Sequence, residues 1–208
     1  MPDSVCRNCR RAGEKLFLKG EKCFTPKCIF EKRPIAPGKA SATQKRRPNL
    51  SEYGRQLREK QKVKHSYGVD ERQFANYVSK ATLSGGSTAN DLFKMLESRL
   101  DRVVFRAGLA PSQRAARLLV SHGHIMVNGK RVTVPSYQVD ASDIISVRAG
   151  SASSALFANL EERLKNHAAP AWISFDAKKK EGRLTGAPRL DATVMPFDLS
   201  SIIEFYSR

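Results

Sequence analysis

The 208-residue chain has no apolar run near the ~18 residues of a membrane span, and it reaches Cys6 without the apolar stretch of a secretory signal. A soluble protein in a reducing compartment is the expectation. Self-similarity at solenoid periods is missing, and the only low-complexity stretch is the short Ser/Ala segment from Gly150 to Ala155. Ser-His-Asp and Cys-His constellations, a Walker loop and paired-carboxylate signatures are also missing, so nothing points to an enzyme. Acidic residues are scarce, with 20 Asp+Glu against 37 Lys+Arg, a net charge of +17. A polyanion normally relieves such self-repulsion, and nucleic acid is the leading partner. Hydrophobic residues at 40% suffice for a packed core, which excludes a wholly disordered basic tail.

The positive charge is uneven: residues 1–65 hold 18 Lys/Arg against 6 Asp/Glu, and residues 66–208 hold 19 against 14. Within the first part, Ile35 to Pro48 has no hydrophobic period, a Pro-Gly turn and a basic cluster, which reads as an extended linker. Ser51 then precedes a basic amphipathic helix over 52–64, with Leu50, Tyr53, Leu57 and the stems of Lys60 and Lys64 at helical spacing. Phe74, Tyr77 and Val78 predict another helix, the loop from Leu83 to Thr88 interrupts it, and a new unit begins near Asn90.

The cysteines fall at Cys6, Cys9, Cys23 and Cys28, two close pairs separated by thirteen residues. Each pair can set two thiolates on one side of a tight turn, and two such turns meet the tetrahedral preference of Zn²⁺. Interleaved cations (Arg7, Arg10, Arg11, Lys15, Lys19, Lys22, Lys27) would favour thiolates and also face a polyanion. Two disulfides, four unrelated thiols or an iron–sulfur cluster are the alternatives, and the missing secretory signal weighs against disulfides. A zinc ion here would be structural, since four thiolates leave no open position for water. It would fold an arm too short to hold itself together by apolar burial.

Read as one helix, Leu92 to Ala107 gathers Leu92, Leu96, Leu100, Val103 and Val104 on a core face and sets Arg99, Arg102 and Arg106 as a cationic ridge beside it. Gly108 closes this helix, and Ser112 caps a second one carrying Arg114 and Arg117, which His122-Gly123 ends. Asn128-Gly129, between His124–Val127 and Lys130–Val132, is a strong hairpin signal because a type I′ turn needs positive φ at both central positions. Ile144 to Val147 offers a third strand. Solvated helix faces are the ordinary explanation of such arginines. Here two successive helices and the hairpin tip, with Lys130 and Arg131, repeat the pattern. For His122 and His124, polar contacts or a packed ring are favoured over metal or catalysis.

Helix, Arg-rich helix, SHGHIMVNGKRV and a short strand resemble the small RNA-binding module of a ribosomal protein, some pseudouridine synthases and tyrosyl-tRNA synthetases. With CRNCRRAGEKLFLKGEKC before it, then EYGRQLREKQKVKHSYG, and IIEFYSR at the end, the chain resembles bacterial small-subunit ribosomal protein four in its zinc-binding, four-Cys form. The resemblance implies a structural constituent of the ribosome that binds the 5′-domain junction of 16S rRNA, nucleates assembly of the small-subunit body and contributes to translational accuracy. It also implies a cytoplasmic location on the small subunit, contact with small-subunit protein five, and proximity to the mRNA entry path. No membrane and no homo-oligomer are required.

The expected fold is α+β: a zinc-stapled basic arm and linker (1–45), a mostly helical domain (46–90) completed by residues 190–208, and an inserted RNA-binding domain (91–189) with its two-helix and hairpin module at 92–148. The return of the C-terminus comes from the resemblance and fits Phe205 and Tyr206 as packing residues. Candidate RNA-binding residues are Arg7, Arg10, Arg11, Lys22, Lys27, Arg46, Arg47, Arg55, Arg58, Lys60, Lys62, Lys64, Arg99, Arg102, Arg106, Arg114, Arg117, His122, His124, Asn128 and Lys130. Candidate metal ligands are Cys6, Cys9, Cys23 and Cys28. Tyr53 and Tyr67, set among cations, could stack on unpaired bases, with packing against their own helices as the alternative. A pseudouridine synthase would need a further catalytic domain for which the chain is short. A zinc-finger DNA regulator would leave the second module unexplained.

Overall fold

Ser51 accepts a hydrogen bond from the Gly54 amide at 3.2 Å and so caps the longest helix, α3 (Glu52–Tyr67), which Gly68 ends. In the computed structural model, which describes residues 3–38, 50–176, 179–188, 190 and 197–207, the chain divides into two units. One comprises the chain up to Leu92 with the segment from Asp191 onward; the other is Phe93–Leu190. Much of the expected linker, with Arg46 and Arg47, lies outside the described residues.

The first unit opens with α1 (Asp3–Ala12), whose last turn carries Arg10 and Arg11 where cations complement the helix dipole. A 3₁₀ turn (Gly20–Cys23) and the short α2 (Ile29–Lys32) follow. Among the described residues of this arm, the four cysteines and Leu16 are the buried ones apart from Gly20. The first cysteine pair sits on a helix rather than the tight turn expected of it. Next come α3 and α4 (Glu71–Leu83), which buries Phe74, Tyr77, Val78 and Ala81. The last helix, α9 (Leu199–Ser207), returns to pack on α3 and α4, burying Leu199 and Ile202.

This return corrects the expected face of α3. The buried stripe is Gln56, Lys60, Val63 and Tyr67, while Leu50 and Tyr53 are exposed. The distant α9 decides the matter: Gln56 Nε2 donates to Glu204 at 3.0 Å, and Lys60 Nζ lies 4.4 Å from the Phe205 ring centre. No local period reveals such a partner. Phe205 also meets Tyr53 at 5.4 Å between ring centres, and Tyr206 meets Phe74 at 6.0 Å. Both act as the packing residues expected.

In the second unit the predicted single helix from Leu92 to Ala107 is two helices, α5 (Thr88–Glu97), which begins in the first unit, and α6 (Leu100–Arg106). The break has a physical cause. The amides of Leu100 and Asp101 donate to Tyr137 and Pro135 carbonyls (2.8 and 3.2 Å), and Val139 donates to Ser98 at 2.8 Å. The chain at 98–101 therefore pairs with a later loop in place of closing a helical turn, and Arg99 is extended (φ −64°, ψ 137°). Ser112 caps α7 (Gln113–Ser121) as predicted, accepting from the Ala115 amide at 3.2 Å.

The hairpin is present as β1 (Ile125–Val127) and β2 (Lys130–Arg131), with Asn128 and Gly129 at φ 49° and 73°. β3 (Ile144–Val147) pairs antiparallel with β1 in the register Val127↔Ile145. Two further strands, β4 (Ile173–Asp176) and β5 (Glu181–Leu184), escape sequence reading and complete a five-stranded sheet ordered β2-β1-β3-β5-β4. Ile125, Val127, Ile145 and Val147 turn one face inward, and Leu96, Leu100, Val104, Leu119 and Trp172 are also buried. Each such side chain contributes about 1.5–3 kcal/mol by leaving water. A last helix, α8 (Leu160–Asn166), lies between β3 and β4 in sequence. Among the described residues no helix is long and apolar enough to cross a membrane.

Candidate nucleic-acid interface

Cations fall into two classes according to whether the protein itself supplies their counter-charge. In the second unit the expected ridge is largely internal. Arg99 is fully buried and donates from Nε and Nη2 to the equally buried Asp101 at 3.1 and 3.0 Å. Arg102 and Arg106 both bind the fully buried Glu97, Arg102 from Nε at 3.0 Å and Arg106 from Nε and Nη2 at 2.9 and 3.1 Å. Arg102 also reaches Gln113 at 3.4 Å. A continuous ridge of three arginines is therefore corrected to one buried structural pair and a carboxylate-clamped pair near the surface. Sequence reading missed Glu97 and Asp101, because helical spacing says nothing of carboxylates that a helix break turns inward.

Around the hairpin, Arg114 and Lys130 are exposed and Arg117 is half-buried. Asn128 is committed inward as well as to the turn: its amide donates to Asp143 at 2.7 Å and its carbonyl accepts from the Ile144 amide at 2.9 Å. This clasp uses part of the side chain's hydrogen-bonding capacity and fixes the direction of the tip. Gly123 holds φ +73°, a backbone that favours glycine, and the Arg131 side chain passes through the space a Cβ would take. Arg131, expected with Lys130 to add charge at the hairpin tip, runs back over Gly123 to donate to the His122 carbonyl at 3.0 Å. The imidazoles of His122 and His124 stack 7° from parallel at 6.1 Å, and His124 Nδ1 lies 2.9 Å from Ser151 Oγ. His122 is exposed and His124 half-buried.

In the first unit Glu71 gathers Lys60 Nζ at 2.6 Å, Lys64 Nζ at 3.0 Å and the Tyr206 hydroxyl at 2.8 Å. Burial alone would raise the Glu71 carboxyl, but these donors prevail and hold it at about 2. Burial and the Glu71 carboxylate together push the Tyr206 phenol up. Lys62 pairs with Glu59 at 2.6 Å and Glu14 at 3.1 Å; burial opposes its charge, yet the two carboxylates raise its affinity for a proton. Lys60, Lys62 and Lys64 are thus charges the fold already uses, a correction to their expected availability. Arg7, Arg11, Lys22, Lys27 and Arg55 are exposed, Arg58 is half-buried, and half-buried Arg10 donates to the Ile35 carbonyl at 2.8 Å. Tyr67 is buried and presents no open ring, while Tyr53 is 53% exposed and packs on Phe205.

Cys6 and Cys9, three residues apart, share a face of α1, Cys23 ends the 3₁₀ turn, and Cys28 caps α2; all four are buried as free thiols. Burial pushes the Cys9 and Cys23 thiols up, while backbone hydrogen bonds from Leu16 and Lys19 act the other way and the neighbouring cysteines add to the rise. As the side chains stand, no group of three His, Cys, Asp or Glu among the described residues is set to hold a metal ion.

Comparison with known proteins covers both units. Residues 1–97 match the ribosomal protein S4/S9 N-terminal domain, and residues 98–145 match the S4 domain. The strands β4 and β5 lie beyond that second match. Small ribosomal subunit protein uS4 of Koribacter versatilis is 48% identical over 206 residues, covering 99% of this chain and 98% of the relative. The uS4 proteins of Pelotomaculum thermopropionicum and Thermotoga maritima are 45% and 46% identical over 205 residues, covering 99% and 98% of this chain and 97% of each relative. With relatives this similar spanning almost its whole length, the chain belongs to the small ribosomal subunit protein uS4 family.

Proposed function

We propose that this protein is a structural, non-enzymatic constituent of the small ribosomal subunit that binds rRNA through the cations its own carboxylates do not hold. The observation that carries this reading is the placement of Arg114 and Lys130, exposed on the helix and hairpin of the S4 domain. Side chains cannot read the deep major groove of A-form RNA, so a rigid cationic surface that recognises shape suits a folded transcript. Neutralised phosphates release counterions, which supplies the affinity. Titration of the intact chain with transcribed small-subunit rRNA over a range of salt tests it: tight binding with a steep negative log–log slope is expected. Turnover on free RNA, seen as a modified uridine, would overturn the structural role.

The finer reading concerns the 5′-domain junction of 16S rRNA, nucleation of the small-subunit body, translational accuracy, contact with small-subunit protein five and nearness to mRNA. Its support is the resemblance over the whole chain together with two differently built RNA-facing units. A structural Zn²⁺ held by Cys6, Cys9, Cys23 and Cys28 completes it. Four buried thiols in the one short arm, with backbone donors toward two of them, suit a soft N/S-seeking cation. Bound zinc would offset two of the four thiolate charges and cross-link α1 to the segments carrying Cys23 and Cys28. Native mass spectrometry should find one zinc per chain, lost in Cys9→Ser; a metal-free wild-type chain or a zinc-retaining variant would contradict the site.

A further inference from the structure

Two aromatic rings in the arm take no part in any core. Phe24 is 74% exposed, the most exposed aromatic side chain among the described residues, and Phe17 is 46% exposed. Their rings nevertheless lie 24° from parallel with centroids 4.9 Å apart. Phe17 holds this position from a left-handed backbone, φ 49°, where a bulky residue is disfavoured. The turn is closed by the Gly20 amide donating to the Phe17 carbonyl at 3.2 Å. An uncommon conformation thus sets one apolar ring against another in water, although burial elsewhere in the arm falls to Leu16 and the cysteines. Backbone strain with so little burial in return points to an occupant from outside the chain.

The surroundings select that occupant. From Phe17 to Lys27 the chain holds Lys19, Lys22 and Lys27 against Glu21 alone, and Lys22 and Lys27 are exposed. A flat apolar face among cations fits a ligand that is aromatic and anionic at once, which describes a nucleotide. An apolar protein segment would take the rings and leave the lysines without a purpose. We propose that Phe17 and Phe24 form a stacking platform for an unpaired base of rRNA, with Lys22 and Lys27 serving its flanking phosphates. Phe24 offers the outer face and Phe17 is a positioning residue that backs it. The inference rests on the rRNA-binding reading and adds a site where a base, beyond backbone charge, is engaged. Of the two alternatives weighed for Tyr53 and Tyr67, buried Tyr67 takes packing, and base stacking falls here to the Phe17–Phe24 pair. A clue was present in the sequence, three Phe in an arm too short to bury them all.

The test uses the full chain and transcribed small-subunit rRNA. Loss of one stacked base should weaken binding by about tenfold in Phe24→Ala while leaving the salt slope unchanged, because stacking releases no counterions. Phe24→Leu, which keeps apolar bulk without a π face, should stay weak, and Phe24→Trp should restore binding. Lys22→Gln combined with Lys27→Gln should flatten the slope by up to about 1.4–1.8. The exposure of Phe24 leaves the fold intact in these variants, which circular dichroism checks. Normal wild-type binding with an indifferent Phe24→Ala overturns the platform alone and leaves the rings to a protein neighbour. Full rescue by Phe24→Leu overturns stacking in favour of plain apolar contact. A wild-type chain that ignores the rRNA overturns the binding reading and this one with it.

Discussion

The second unit holds its cations with carboxylates that water does not reach, whereas the first holds them with carboxylates half in solvent. Asp101 and Glu97 have side chains fully removed from water, while the Glu71 side chain keeps 48% of its exposure. A buried carboxylate attracts strongly and leaves an expensive orphan if lost, and an exposed one is screened and replaceable. Ion pairs of the helical unit are therefore expected to respond to salt more than those of the S4 module. A count of arginines on a helical wheel does not measure the charge offered to RNA.

The largest effect expected from this contrast comes from Asp101→Ala, which strands Arg99 in the interior. Unfolding of the second unit, followed through Trp172, should lose about 3–5 kcal/mol. A loss under about 1 kcal/mol would erase the distinction between the units. Glu97→Gln should cost less, roughly 1.5–3 kcal/mol, because Arg102 and Arg106 keep some access to water. It also sharpens the comparison, since deleting a negative charge should strengthen rRNA binding if the carboxylate only neutralises. Weaker binding would show that the clamp aims the two guanidinium groups.

Smallest is Glu71→Gln, worth about 1 kcal/mol or less for so exposed a cluster. The Glu71 pKa is depressed on folding, so its contribution is complete above the ordinary value of 4.5 and is lost as pH falls toward about 2. Acid titration of wild type should show a stability decline in that window which Glu71→Gln lacks, and added salt should shrink the difference. Identical acid profiles would remove Glu71 from the joint between α3, α4 and α9.

What sequence could reveal divides along physical lines. Signals confined to a few residues read true: Ser51 and Ser112 as caps, Asn128-Gly129 as the turn, and the apolar stripe of Leu96, Leu100, Val103 and Val104. What failed depends on partners far along the chain. α9 moved the buried face of α3, and the loop at 135–139 broke a continuous helical pattern at Arg99. β4 and β5 are short, with Gly182 and Ser174 diluting their alternation. In the candidate interface, residue types were legible but their commitments were not, because Lys60, Lys64, Arg99 and Asn128 find partners only once the fold closes.

The most direct test is the salt dependence of rRNA binding by the intact chain with Arg114→Gln and Lys130→Gln combined, set beside wild type. The log–log slope should flatten by about 1.4–1.8, as two lost phosphate contacts require at ~0.7–0.9 each. An unchanged slope would contradict an interface built from these exposed cations.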